Sequence, residues 1–187
     1  MLSVSSFPRL STERLQLRKL EITDADQIYS LRSNEIVNQY LGRTPANSVK
    51  DAEAFIKRIN SADSNNQSFY WAICFHNERE LMGTICLWNL SEKENKCEVG
   101  YELLPQFHGQ GIMQEAFFAV LKFAFEVLQL NMIEAWTVAQ NENSIKILKR
   151  NGFKRNIELE NIIDVAIQTP DEVIFCLTKK EYLDRRL

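Results

Sequence analysis

The spacing of hydrophobic positions changes period several times along the chain, and each change marks an element. Between Arg14 and Leu20 apolar and polar residues alternate, the period-two pattern of a half-buried strand. From Asp24 to Arg32 the spacing lengthens, with Ala25, Ile28, Tyr29 and Leu31 forming one stripe, which predicts a helix capped by Thr23. A second helix is expected after Ser48, with Ala52, Phe55, Ile56 and Ile59 as its apolar face. Two strands follow, Phe69 to Phe75 and Leu81 to Leu90, joined by the polar turn from His76 to Glu80. A charged turn from Ser91 to Lys96 leads into another strand, Cys97 to Leu104. Turns this tight join antiparallel neighbours, so the stretch reads as a meander.

After Leu104 the order changes. A long segment of helical periodicity, Ile112 to Leu128, separates the strand ending at Leu104 from a new one, Met132 to Val138, and a helix placed so makes a parallel crossover. A short helix is expected to start near Asn141 to Ser144, capped by Asn141 or Asn143, and to end at Asn151, with Gly152 as its C′ glycine after Lys149 and Arg150. Phe153 to Glu160 and Val173 to Thr178 complete the sheet, with Asn161 to Asp171 as a hairpin connection. The expected fold is α/β in the α+β sense: a mixed, mostly antiparallel sheet flanked by helices, with one parallel strand-helix-strand crossover.

The crossover begins at the most informative point of the chain, Gln106-Phe107-His108-Gly109-Gln110-Gly111. Two glycines between a strand and a helix leave backbone N–H groups unshielded by Cβ atoms and next to the positive end of a helix dipole, which suits a phosphate or pyrophosphate. A nucleoside-triphosphate loop would need Lys and then Ser or Thr after the second glycine, where Ile112 and Met113 stand. A dinucleotide fingerprint would need a third glycine at Gln114 and an acidic residue near Leu130 and Asn131. The pattern Q-x-x-G-x-G instead resembles the acyl-coenzyme A pyrophosphate loop of the GNAT superfamily of N-acetyltransferases. Further along, Asn141-Glu142-Asn143-Ser144, a helix and Gly152-Phe153 resemble the next segment of that superfamily, N-x-x-S or N-x-x-A, a helix, and G-F. Leu10 to Arg18, Thr23 to Asp26, Cys97 to Tyr101 and Met113 to Ala116 are similar to its ribosomal-protein N-terminal (alanine or serine) acetyltransferase branch. The similarity spans roughly Leu10 to Thr178, which implies one GNAT-like domain over residues 1–187.

What the resemblance implies can be put residue by residue. Acetyl-coenzyme A is the cosubstrate, its pyrophosphate meeting the backbone of Gln106, Phe107, His108, Gly109, Gln110, Gly111, Ile112 and Met113, and its pantetheine arm pairing with the strand edge near Glu102, Leu103 and Leu104 in a splay of the sheet. Asn141 and Ser144 complete the binding set. The reaction is direct attack of a primary amine on the thioester. Glu98, on the fourth strand of the family, is the first candidate for the proton-accepting carboxylate, and Glu160, beyond Gly152-Phe153, is the second. Each also reads as a surface ion-pair partner, and Glu115 reads as a first-turn or structural acceptor. Many members place a Tyr acid four residues before the glycine of G-F, but here Leu148 occupies that position. The branch uses a Ser instead, and Ser144 fills it, as a hydrogen-bond donor to the leaving thiolate or simply as part of the helix cap. His108 reads as a loop side chain facing solvent or phosphate.

Composition narrows the partners. With 187 residues, 45% of them hydrophobic, the chain suits one core. Lys and Arg number 22 against 25 Asp and Glu, a formal charge of −3 that provides no field for nucleic acid or an anionic membrane. Cys74, Cys86, Cys97 and Cys176 fall in strand-like runs without metal-ligand spacing, and His76 and His108 are the only histidines, so no metal site is expected. Buried reduced cysteines, and the lack of a signal-like or membrane-length apolar run, point to the cytoplasm. An α-amine, with a pKa of about 7.7 to 8.0, costs about 1 kcal/mol to deprotonate at neutral pH, against about 4.6 kcal/mol for a lysine. The expected acceptor is therefore an α-amino group such as a protein N-terminus. A polyamine, an antibiotic, a small metabolite amine, or a catalytically silent acyl-coenzyme A binding module are the alternatives, and a homodimer is compatible with all of them.

Overall fold

A computed structural model describes residues 6–63, 68–162 and 171–185. Among the described residues, eight strands form one sheet in the order β1-β2-β3-β4-β5-β6-β8-β7. They are β1 (Leu10–Ser11), β2 (Leu15–Lys19), β3 (Phe69–Phe75), β4 (Gly83–Ser91), β5 (Lys96–Leu103), β6 (Met132–Val138), β7 (Lys154–Arg155) and β8 (Glu172–Thr178). Every neighbouring pair is antiparallel except β5 with β6. The expected mixed sheet with a single parallel crossover is therefore the one observed.

Period-two alternation sorts the strand side chains onto two faces. On β3, Phe69, Trp71 and Ile73 join the larger core with Leu15, Leu17, Val99, Ile133 and Phe175, whereas Ala72 and Cys74 join the smaller one. The larger core is covered by α4 (Ile112–Lys122), through Ala116, Phe117 and Val120, and by α5 (Glu142–Arg150), through Leu148. Packed against the other face are α1 (Ala25–Ser33) and α3 (Val49–Asp63), which bury Ile28, Leu31, Phe55 and Ile56. The four cysteines are buried and free. Among the described residues no helix is long and apolar enough to cross a membrane.

Several boundaries differ from expectation, each for a local reason. A 3-10 turn, Ile22–Asp24, precedes α1, and its reciprocal cap is made by Glu21 and Asp24 rather than by Thr23. Asp24 is buried because Arg18 holds both its oxygens, at 2.8 and 2.7 Å. A one-turn α2 (Glu35–Asn38), capped by the Asn34 side chain, carried too little periodicity to predict. After α4 the helix widens into a π turn, Phe123–Val127, instead of running on as regular α-helix to Leu128. The wider turn lets the consecutive Phe123, Ala124 and Phe125 all be buried.

The strand expected from Phe153 to Glu160 is limited to two residues, and α6 (Ile157–Ile162) follows. Asn156 starts that helix by accepting the Leu159 N–H through its side-chain oxygen at 3.0 Å. The hairpin expected from Asn161 to Asp171 falls mostly on residues 163–170, outside the described residues. Beyond β8 a capping box between Thr178 and Glu181 starts α7 (Lys179–Asp184).

Candidate active site

The glycines of the crossover loop are needed for their conformation. Gly109 and Gly111 have φ of 74° and 75°, the left-handed region, and Gly111 is the N-cap of α4. A Cβ on Gly109 would meet nothing within 4 Å, so open space lies in front of this backbone. Among the described residues no acceptor takes the N–H of Gly109, Gln110, Gly111, Ile112 or Met113. Five free donors thus stand at a helix N-terminus, a cradle that suits an anion. Ile112 and Met113 bury their side chains in the core and present only backbone to it. Gln106 contributes a carbonyl, which accepts from Gln110 Nε2 at 2.8 Å and so closes the turn. Phe107 packs against both core clusters and anchors the loop.

Glu115 fixes the cradle to the rest of the sheet. Its carboxylate accepts from Thr12 Oγ1 at 2.5 Å, from the Arg14 N–H at 2.9 Å and from Arg14 Nε at 2.6 Å. Partial burial pushes this carboxyl up, but the bonds from Thr12 and Arg14 outweigh it and hold the group below the usual carboxylate range. Arg14 also donates through Nη1 to the Gln110 carbonyl at 3.2 Å. That places a half-exposed guanidinium beside the free amides, a cation the sequence offered only as part of an N-terminal motif.

The slot lies between β5 and β6. They pair only at Lys96↔Met132, Cys97↔Ile133 and Glu98↔Glu134, so the strands part beyond Glu98 and the edge of β5 is open from there. The Leu104 N–H is turned away from the slot, donating to Met82 at 2.9 Å. Leu103, one residue earlier, faces into it by alternation, and its carbonyl accepts from His108 Nε2 at 2.9 Å. This bond requires the Nε2–H tautomer of His108. His108 therefore covers a backbone acceptor on the open edge of β5.

Two hydroxyls meet on the α4 side of the slot. Asn141 caps α5, accepting the Ser144 N–H through Oδ1 at 3.1 Å, so the cap is Asn141 and the Ser144 hydroxyl is free for another partner. That partner is Tyr101, whose Oη lies 2.7 Å from Ser144 Oγ. The Tyr101 ring is held edge-on against Phe117, with centroids 4.8 Å apart. Burial pushes its phenol well above the ordinary tyrosine value, so it stays protonated and able to donate. Leu148, where a tyrosine is common in the family, is fully buried in the core. The structure thus brings a phenol to Ser144 from β5 instead of from α5. Sequence reading missed it because the two residues are 43 positions apart.

Glu98 is on the opposite face, since odd positions of β5 turn toward α4. Its neighbour across the parallel pair is Glu134, 4% exposed and 2.9 Å from Lys96 Nζ. Burial raises the Glu98 carboxyl above its ordinary value, the Asn89 hydrogen bond opposes this, and Glu134 adds to the rise. Asn89 Nδ2 donates to Oε1 at 2.7 Å from an irregular stretch of β4, with φ of 51°. Gly100 continues this face, and a Cβ there would come 3.1 Å from Cys86 Sγ and 3.8 Å from Trp88 Nε1. Glu160, by contrast, is far from free. It sits in α6, gripped by Arg155 at 3.0 Å and by the Ile174 N–H at 2.9 Å, and Arg155 is the main cause holding it below the usual carboxylate range. A carboxylate so stabilised is a weak proton acceptor.

The profile of the acetyltransferase (GNAT) domain matches residues 14–154. The chain is 34% identical over 174 residues to an uncharacterised N-acetyltransferase, p20, of Bacillus licheniformis, covering 92% of this chain and 97% of that protein. It is 24% identical over 187 residues to the [ribosomal protein uS5]-alanine N-acetyltransferase of Escherichia coli, covering 95% and 94%. Among solved structures, the spermidine N-acetyltransferase of Vibrio cholerae, in complex with CoA and spermine, superposes with a TM-score of 0.77 at 18% identity, over 92% of this chain and 99% of that one. With its cradle, parted strands and matched profile, the chain belongs to the GNAT family and is an acetyl-coenzyme A-dependent N-acetyltransferase.

Proposed function

We propose that the chain transfers an acetyl group to an α-amino group, with Glu98 as the proton acceptor and Ser144, backed by Tyr101, as the donor to the leaving thiolate. The observation that carries this is the disposition of opposed groups about one slot: a carboxyl raised by burial on one face and a paired hydroxyl on the other. The free amides of Gly109 to Met113 would receive the pyrophosphate, with Arg14 alongside. The Leu103 carbonyl would pair with the pantetheine arm once His108 releases it.

The chemistry then balances. The amine nitrogen attacks the thioester carbonyl, the nitrogen loses a proton to Glu98 directly or through water, and the C–S bond breaks as Ser144 hydrogen-bonds the departing sulfur. Glu98 suits this task because a carboxyl of raised pKa takes a proton near neutrality more readily than Glu160 does. An α-amine asks little of the base, which fits a site whose donor is a serine. The E. coli relative acts on a ribosomal-protein alanine, in keeping with this acceptor class.

A thiol-release screen with acetyl-coenzyme A against Ser- and Ala-initiated peptides, spermidine, an aminoglycoside and free amino acids tests the proposal. Turnover of the peptides is expected. Robust turnover of spermidine with none on the peptides would overturn the acceptor while leaving acetyl transfer intact.

A further inference from the structure

On the α1 and α3 side of the sheet lies a pocket that the reaction above does not use. Its volume is about 460 Å³, and Arg32, Thr44, Asn47, Asp51, Phe55 and Arg58 line it. Two guanidiniums share one aromatic ring there: Arg32 Cζ is 3.9 Å and Arg58 Cζ 5.6 Å from the Phe55 centroid.

The charges around this ring do not cancel. Arg32 pairs with Glu102, whose side chain is 9% exposed, and Arg43 already chelates Glu102 through both oxygens, with Nη2 at 2.7 Å from Oε2. Arg43 is itself held by Asn38 Oδ1 at 2.8 Å. Arg32 reaches the same carboxylate only at 3.5 Å, with its side chain 15% exposed, and donates no hydrogen bond to any described residue. Burial depresses the Arg32 guanidinium and Glu102 only partly offsets the effect. Arg58 is exposed and has no ion pair among the described residues. Asp51 is the one acidic lining residue, and its Oδ2 accepts the N–H groups of Asn47 and Ser48 at 2.9 and 3.1 Å, which ties it to the start of α3. Three guanidiniums therefore face two carboxylates, and the surplus donors are those of the arginine turned into the pocket. Arg32 is largely shielded from water and only loosely paired with Glu102, and a planar anion placed between the two guanidiniums would supply the close acceptor it lacks.

We propose that this pocket binds an anionic group, a phosphate or a carboxylate, carried by the amine acceptor. The inference rests on the acetyl-transfer reading and adds a substrate class to it. Glu98 and Glu102 lie on one face of β5, four residues apart, so their Cα atoms are ~13 Å apart, which sets the scale of the distance between the anion site and a nitrogen reacting beside Glu98. In an extended peptide that is about three to five residues from the N-terminus. A polyamine, cationic along its length, would meet like charge at this point.

Short Ser-initiated peptides carrying a single phosphoserine or Glu moved along the chain, each matched to a neutral Ser or Gln peptide, test the inference by thiol release. Calorimetry with inorganic phosphate, on the protein saturated with coenzyme A so that the free amides of Gly109 to Met113 are already occupied, supplies a readout independent of turnover. The expected result is kcat/KM about tenfold or more higher for the anionic peptide at the favoured spacing, the scale of one pair of charge-assisted hydrogen bonds. Arg58→Glu should bring that ratio to one or below and remove phosphate binding, and Arg32→Met should do the same. A ratio near one at every spacing overturns the inference, as does a preference that survives Arg58→Glu. Phosphate binding that Arg58→Glu removes, with no discrimination among peptides, assigns the pocket to a free anion and overturns the acceptor claim. Acetyl-coenzyme A binding measured separately isolates the other failure: its loss would remove the acetyl-transfer reading, whereas a flat peptide ratio with that binding intact overturns only this inference.

Discussion

Replacing Tyr101 by Phe deletes one oxygen and leaves the ring in its edge-on contact with Phe117. What disappears is the 2.7 Å contact with Ser144 Oγ and a longer one, 3.5 Å, to the Ser144 carbonyl. Ser144 is half-buried, so water can take the vacated position, and the cost to folding should be about 1 kcal/mol or less, a few degrees in Tm for a chain of this size. The cost to catalysis follows from where the serine proton points. In a helix a Ser hydroxyl readily turns back to a carbonyl of the preceding turn. Either hydroxyl can donate across the 2.7 Å contact; in the arrangement in which the phenol donates to Ser144 Oγ, it occupies the oxygen and leaves the serine proton for the sulfur.

Losing that orientation should remove about 1.4 kcal/mol of transition-state stabilisation, a tenfold fall in kcat, with the KM for acetyl-coenzyme A nearly unchanged. Ser144→Ala should lower kcat by about 10- to 1,000-fold, the range for one donor to developing charge. Because Tyr101 acts through Ser144, the two losses should not add. In the Ser144→Ala background Tyr101→Phe should change kcat by less than about twofold, giving a coupling energy near 1 kcal/mol in the double-mutant cycle. Steady-state thiol release at saturating acetyl-coenzyme A measures all four proteins. An equal tenfold loss in both backgrounds, or a lowered Tm with unchanged kcat, would refute the relay.

The elements that were legible in the sequence are those whose cause is local. Strands β3 and β6 carry their own alternation, and their bounds, Phe69–Phe75 and Met132–Val138, match the expected ones. Gly152 also announced itself: with φ of 92°, it lets its own N–H reach Lys149 and the Phe153 N–H reach Leu148, the two bonds that end a helix at a glycine. Illegible features depend on distant partners. The π turn forms because the Phe123 ring must sit edge-on to both Phe69 and Trp71 while Phe125 stacks on Tyr182, contacts that no local period encodes. Glu160 was misplaced because β-like letters after Phe153 are outweighed by the Asn156 cap and by the grip of Arg155 and Ile174 on its own carboxylate. The site follows the same rule. Its cradle was readable as a glycine pattern, whereas the hydroxyl pair exists only because β5 passes beneath the first turn of α5.

The other predictions can be checked on single variants. Gly109→Val and Gly111→Val should weaken acetyl-coenzyme A binding at least about tenfold by calorimetry, since a Cβ stands before the free amides and positive φ costs about 1 to 2 kcal/mol; unchanged affinity in both would refute the cradle. Glu98→Gln should depress kcat/KM most between the raised pKa of Glu98 and the α-amine pKa of about 8, and less above it, where the amine is already neutral. A pH-independent defect would argue against a base. The last concerns stability in acid. Glu181 accepts from the Thr178 N–H at 3.0 Å, from Thr178 Oγ1 at 2.8 Å and from Lys154 Nζ at 2.8 Å, and the Lys154 ammonium foremost, with the Thr178 N–H, pulls its carboxyl down to about 2. A folded value below the ordinary 4.5 means that the contribution of this group is fully present above pH 4.5 and is lost as pH falls toward 2. Glu181→Gln should therefore lower the denaturant midpoint at pH 7 and converge with the parent near pH 2. Because Lys154 is 75% exposed, salt should screen the ammonium contact, so the difference should shrink at high ionic strength to the part carried by the Thr178 bonds. A difference that stays constant with pH, or widens in acid, would refute the assignment of this carboxylate as the cap of α7.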